Sequence, residues 1–253
     1  RTKTIVPMHY AGYPCDMDAY LRMAQEHDLW IIEDACHGLG GSVGGQAMGT
    51  VGAMGCFSFY SNKIMTTGEG GMLTTDDEAL AQRARAIRSH GQTKTAVDRM
   101  RGAMGYDITE VGYNYRLDDL RASIGLVQLE RLSHSVTRRG ELVALYKSQL
   151  EDVEQVHIPD HGGRGEPAHY ILPACVKGID RDTLRRSLAD DGIQTSMHYP
   201  PVHHFAHYID PTLELPHTEW VGKNAFSLPL YPSMTEDQVG QVCDAIRRRV
   251  GAS

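Results

Sequence analysis

Two ionisable side chains in this 253-residue chain stand where chemistry is commonly done. Lys63 lies in "GCFSFYSNKIMTTGEGGM", between an aromatic, strand-like run and a glycine-rich turn that lets backbone approach a ligand. Asp34 lies in "LWIIEDACHG", at the end of a run that reads as a buried strand, and ligands of parallel α/β sheets gather outside the carboxyl ends of strands. A lysine that is partly desolvated, or near another cation, has a lowered pKa and becomes an amine able to form a Schiff base. His37, three residues after Asp34, adds an imidazole, and Ser58, five before Lys63, adds a hydroxyl that can donate to an anion. Each has a plainer reading alone: a surface lysine, an aspartate capping the next turn, a strand serine.

The elements that must position these groups follow from hydropathy. Residues 5–9 and 29–34 read as buried strands, with a helix over 17–27 whose apolar positions Met17, Tyr20, Leu21 and Ala24 recur at helical spacing. Strands over 56–60 and 71–75 and a helix from 77 to about 90 continue an alternation that predicts an α/β layer structure with a mostly parallel sheet. Residues 92–112 lose periodicity and read as a long excursion. A helix over 117–132 then carries Leu117, Leu120, Ile124, Val127 and Leu132 mostly on one face, and a second helix runs to about 150. After "IPDHGGRGEP" the pattern changes to a smaller α+β unit. It has strands over 169–176, 193–198 and 226–230, a helix over 180–191, and a closing helix announced by the capping pair Thr235 and Gln238. The expected division is a large domain over 1–132 and a smaller C-terminal domain over 133–253.

Composition narrows the partners. A net charge of −7 and a pI near 6.0, without blocks of like charge, argue against nucleic acid or an anionic membrane, and the basic run 247–249 suits the C-terminal end of a helix dipole. Five scattered cysteines without a C-x-x-C pair signal neither a disulfide framework nor a thiolate metal site, and a reducing cytoplasm is expected. No apolar run is long enough to span a bilayer. Several motifs fail on inspection. "GLGGSVGG" lacks the last glycine of the dinucleotide fingerprint, and "TTGEGG" lacks the lysine and hydroxyl of a P-loop. His203 and His207 have the i,i+4 spacing of a helical metal pair, but no glutamate follows His203 and Pro200-Pro201 precedes it, so no metal is expected.

Taken together, "VPMHYAGYPCDMDAY", "IIEDACHGLG", "GCFSFYSNKIMTTGEGGML", "RSHG", "VGYNYRLDDLRASIGLVQLERL", "IQTSMHYPPVH" and "SLPLYPSMTEDQV" resemble the DegT/DnrJ/StrS family over nearly the whole chain. These are sugar aminotransferases within the fold type I pyridoxal 5'-phosphate (PLP) enzymes. The resemblance implies that Lys63 is the Schiff-base lysine, that Asp34 keeps the pyridinium nitrogen protonated, that His37 lies near the phenolic oxygen and that Ser58 binds the cofactor phosphate. It implies that Asn114 in "GYNYR" reaches the phosphate of the other subunit's cofactor, which makes a homodimer with shared active sites. His198 and Tyr199 in "HYP" become candidate substrate contacts.

The implied reaction is a ping-pong transamination. Glutamate gives up its amine, Lys63 moves the proton, and a keto-sugar nucleotide receives the amine, giving an aminosugar. Alternatives are a PLP- or pyridoxamine-dependent sugar dehydratase, whose members typically replace the lysine present here, a keto-cyclitol aminotransferase, and a catalytically silent partner subunit. The family carries a further segment of roughly a hundred residues, a domain-scale piece, ahead of the point matching Arg1. That segment supplies a phosphate-binding turn and an aromatic ring that stacks on the cofactor.

Overall fold

Strand β1 (Thr4–Ile5), helix α1 (Met17–His27) and strand β2 (Trp30–Asp34) open the chain, followed by a small hairpin of β3 (Ser42–Val43) and β4 (Gln46–Ala47). Strands β5 (Met54–Ser58) and β6 (Gly71–Thr74) and helix α2 (Glu78–Arg88) come next. The computed structural model describes residues 1–94, 98, 100–160 and 162–251. Its chain divides into one unit of residues 1–133 with 163–168, and a second of residues 134–162 with 169–253.

In the first unit the sheet order is β1-β2-β5-β6. β1 and β2 pair in parallel, as do β2 and β5, and β6 closes the sheet antiparallel to β5, so the sheet is mixed but mostly parallel. The strand expected over 5–9 ends at Ile5, because Pro7 has no N–H to give the ladder. Pairing resumes at Met8, where Asp34 N–H donates to the Pro7 carbonyl and His9 N–H donates to the Asp34 carbonyl. Asp16 caps α1 by accepting from Ala19 N–H, and Met17 and Ala24 turn inward with Ile31, Val43, Met48 and Ala168 to form the core. Leu21, expected on the buried face, is exposed.

Helix α3 (Asp119–Glu130), capped by Asp118, occupies the strongly periodic region. Its apolar stripe faces outward: Leu120 is 80% exposed and Ile124 50%, and only Gly125 is buried. The excursion ahead of it is partly paired, with Gln92 bridging Ile108 and Thr93 N–H donating to the Asp107 carbonyl. Residues 95–97 and 99 of that excursion lie outside the described residues.

The second unit takes most of helix α4 (Leu132–Gln149), then β7 (Val156–His157), β8 (Leu172–Val176), α5 (Arg181–Asp190), α6 (Pro216–Asn224), β9 (Ala225–Leu228) and α7 (Glu236–Val250). Its sheet, β7-β8-β9, is antiparallel throughout. Tyr146, Leu172, Leu188, Phe226 and Ile246 centre its core. The strand expected over 193–198 reduces to one bridge between Ser196 and Ser227. Ile193 N–H is used to close α5 on the Leu188 carbonyl, Arg185 takes the Thr195 carbonyl, and Pro200 and Pro201 follow without N–H groups. The capping box is present, Thr235 Oγ1 accepting from Gln238 N–H and Gln238 Oε1 from Thr235 N–H. No helix among the described residues is long and apolar enough to cross a membrane.

Leu188→Ala is expected to cost about 2–5 kcal/mol because its site is fully enclosed. Thr235→Ala is expected to cost about 1 kcal/mol. Urea unfolding reads both, and a Leu188 loss no larger than the cap loss would contradict this packing.

Candidate active site

Successive residues of a strand point to opposite faces, and the end of β2 uses that alternation. Glu33 is fully buried, while Asp34 on the other face is half-buried. The Glu33 carboxylate accepts four hydrogen bonds. Oε2 takes His9 Nε2 at 2.9 Å and Gly49 N–H at 2.8 Å, and Oε1 takes Val51 and Gly52 N–H at 2.7 Å each. Burial alone would raise this carboxyl, but the His9 hydrogen bond and the three backbone donors hold it below the usual carboxylate range. Burial lowers the affinity of His9 for a proton, and the carboxylate raises it. Cys15 N–H, directed at His9 Nδ1 from 3.1 Å, leaves that nitrogen no room for a second proton, so the geometry holds a neutral Nε2–H imidazole.

The turn that supplies three of those donors must approach β5 closely. A Cβ on Gly55 would lie 2.0 Å from the Gly49 carbonyl oxygen, and Gly49 itself has φ +86°, so glycine is required on both sides.

After β2 the chain turns so that Asp34 Oδ1 accepts from Cys36 N–H at 3.1 Å, and His37 enters the interior. Ala11 N–H, held at φ +60°, donates to His37 Nδ1 at 3.2 Å. A neutral His37 therefore carries its proton on Nε2, where it is a donor.

Lys63 is placed by a second device. Phe59 N–H donates to the Gly70 carbonyl and Thr67 N–H to the Phe59 carbonyl, each at 2.9 Å, which closes residues 60–66 into a tight loop. Ser58 stands at the end of β5, its Oγ accepting from Tyr60 N–H. The Lys63 amine is half-buried, and burial brings its pKa below that of an ordinary lysine against the opposing pull of Cys36 and Asp34. Cys36, which sequence reasoning passed over, has its thiol pushed up to about 12 by burial and by Asp34. Asp34, Cys36 and Lys63 thus share one electrostatic neighbourhood, across the register that sets Asp34 beside Cys56.

Asn114 is exposed, its Oδ1 accepting from Arg116 Nε at 2.9 Å, and its two sequence neighbours Tyr113 and Tyr115 stack their rings on each other. His198 and Tyr199 belong to the second unit, where His198 Nδ1 is 2.8 Å from Ser227 Oγ.

A sequence model of the DegT/DnrJ/EryC1/StrS aminotransferase family matches residues 1–247. The chain belongs to this family. It is 38% identical over 258 residues to the spore coat polysaccharide biosynthesis protein SpsC of Bacillus subtilis, covering 98% of this chain and 66% of that one. It is similar to the solved aminotransferase TlmJ from Streptoalloteichus hindustanus, with TM-score 0.91, 32% identity, and coverage of 100% of this chain and 67% of that one. It is also similar to DesI, solved in the presence of its TDP-sugar product, with TM-score 0.87, 29% identity, and coverage of 99% and 63%. The chain spans about two thirds of the length of these relatives. Fold type I is the family's architecture and PLP its cofactor.

Two measurements follow. A carboxyl whose pKa is lowered on folding stabilises the folded state above its unfolded value of about 4.3, and that stability is lost as pH falls through the folded value. Glu33→Gln is therefore expected to lower stability at neutral pH and to flatten the acid limb, read as urea midpoints between about pH 6 and pH 3. Asp34→Asn removes a charge that holds the Lys63 proton, so the pH midpoint for chemical modification of Lys63, followed by mass spectrometry, should move down. A midpoint that stays or rises would refute the coupling.

Proposed function

We propose that this chain is the lysine-bearing part of a PLP-dependent aminotransferase that moves an amino group from glutamate to a keto-sugar nucleotide in aminosugar biosynthesis. The observation that carries this reading is a half-buried amine, Lys63, coupled to the Asp34 carboxylate at the end of a parallel strand. Family membership supports the reaction class, and the TDP-sugar product of DesI supports a nucleotide-linked acceptor.

The donor set fits the cofactor, offering a carboxylate, an imidazole with Nε2–H directed away from Ala11, a serine hydroxyl and a partly desolvated amine. PLP, when bound, supplies an electron sink that lets an α-proton leave. Asp34 keeps a proton on the pyridinium nitrogen. His37 donates from Nε2 toward the phenolic oxygen, and Ser58 donates from Oγ to the phosphate. Lys63 Nζ, whose hold on a proton is weakened by burial, takes the α-proton of the donor and returns it. Asn114, whose Oδ1 is engaged by Arg116, has its carboxamide N–H groups for the phosphate in a partner subunit, so the functional unit is a homodimer. His198 and Tyr199 contact the substrate. Residues 1–132 form the cofactor-binding domain and 133–253 the smaller one. Five free cysteines support a reducing compartment, the cytoplasm.

Purified protein given PLP is expected to develop a visible absorbance band that borohydride fixes onto Lys63, identified by peptide mass. Glutamate should bleach the band with release of 2-oxoglutarate. Lys63→Ala should slow this half-reaction by about 10²–10⁴-fold, the usual worth of a positioned acid–base group. An unchanged rate in the variant would sink the role given to Lys63.

A further inference from the structure

The second unit carries a cluster that the aminotransferase reading leaves unused. We propose that His203, His204 and Glu219 form a binding site for one divalent transition-metal ion of the zinc class. His203 Nε2 lies 2.5 Å from Glu219 Oε1 and His204 Nε2 lies 2.9 Å from the same oxygen. Two neighbouring imidazoles thus aim the same ring nitrogen at one point. Among the described residues, this is the one group of three or more His, Cys, Asp or Glu whose ligand atoms converge, all within 4.8 Å of one another.

The pair suggested by the sequence, His203 and His207, is not the one the fold assembles. Pro200 and Pro201 lead into a short 3₁₀ turn, Val202–His204, closed by His204 N–H on the Pro201 carbonyl and Phe205 N–H on the Val202 carbonyl, and this brings the adjacent histidine into play. The missing glutamate comes from α6, on the far side of residues 205–215.

The helix that bears it is seated firmly. Gly222, one turn beyond Glu219, packs so near the turn that a Cβ there would lie 2.4 Å from Pro201 Cγ. Arg181, nearly buried, anchors the end of α6 by donating to the Gly222 carbonyl at 3.1 Å and the Ala225 carbonyl at 2.7 Å.

Two imidazole nitrogens and one carboxylate oxygen suit zinc and its neighbours rather than magnesium or calcium, which take oxygen ligands. Three protein ligands leave a fourth position for water, and the half-exposed His204 and Glu219 leave that side open. Metal–ligand bonds of about 2.0–2.2 Å in tetrahedral geometry separate ligand atoms by roughly 3.3 Å. Binding therefore requires the Glu219 carboxylate to retreat by about half an ångström. The two imidazoles coordinate through Nε2 and carry their protons on Nδ1.

The alternative is that Glu219 only pins the two histidines by hydrogen bonds, and Glu219→Gln separates the two because it keeps an acceptor and removes the anionic ligand. The test is calorimetric titration of the full chain, free of any affinity tag and stripped by chelator, with zinc chloride. One equivalent is expected to bind in the wild type. Glu219→Gln and His204→Gln should each weaken binding at least as much as the roughly tenfold typical of losing an outer-shell partner, while His207→Gln leaves it unchanged. Uptake that is absent in the wild type, or equal in the Glu219 and His204 variants, would overturn the site. X-ray absorption of the zinc-loaded wild type serves if a variant fails to fold. Two imidazoles with oxygen ligands support the proposal, and sulfur or additional imidazoles refute it.

Discussion

A carboxylate with no solvent contact is tolerable only when its lone pairs are used, and the Glu33 carboxylate uses them on four donors from two places in the chain. His9 ties in the segment after β1, and Gly49, Val51 and Gly52 tie in the turn before β5. The end of β2 is thereby locked to both neighbouring strands. Because side chains alternate along a strand, the interior anchor at 33 dictates that Asp34 faces the opposite side. A structural carboxylate thus aims a chemical one.

Lys63 depends on that lock only indirectly. Its loop is closed by Phe59, Thr67 and Gly70, and β5 carries the loop to Asp34 through the parallel register that pairs Asp34 with Cys56. The amine comes to rest where burial disfavours its charge while Asp34 and Cys36 favour it. Burial prevails, which is the condition for an amine to act as nucleophile or base.

Helix α3 and helix α7 show how far periodicity reaches. Both carry apolar residues at helical spacing. In α7 Val239, Val242 and Ile246 are buried within the second unit, whereas in α3 Leu120, Ile124 and Val127 stand exposed. Periodicity identifies the face that seeks apolar cover, but what covers it is a property of neighbouring elements. The strand expected over 193–198 failed for a related reason: local alternation was overridden by the prolines that follow and by the Arg185 side chain's claim on the Thr195 carbonyl.

Short-range features were readable from the sequence: the cap at Thr235, the strand ending at Asp34, and the glycines around Lys63. Their partners lie within a few residues, so the local order of residue types is enough to specify them. The buried network at Glu33, the thiol of Cys36 beside Lys63 and the convergence of His203 and His204 on Glu219 were not readable in that way. His9 reaches Glu33 across 24 positions and His203 reaches Glu219 across 16. At such separations many partners are chemically equivalent, and the packing of strands and helices alone selects which pair meets.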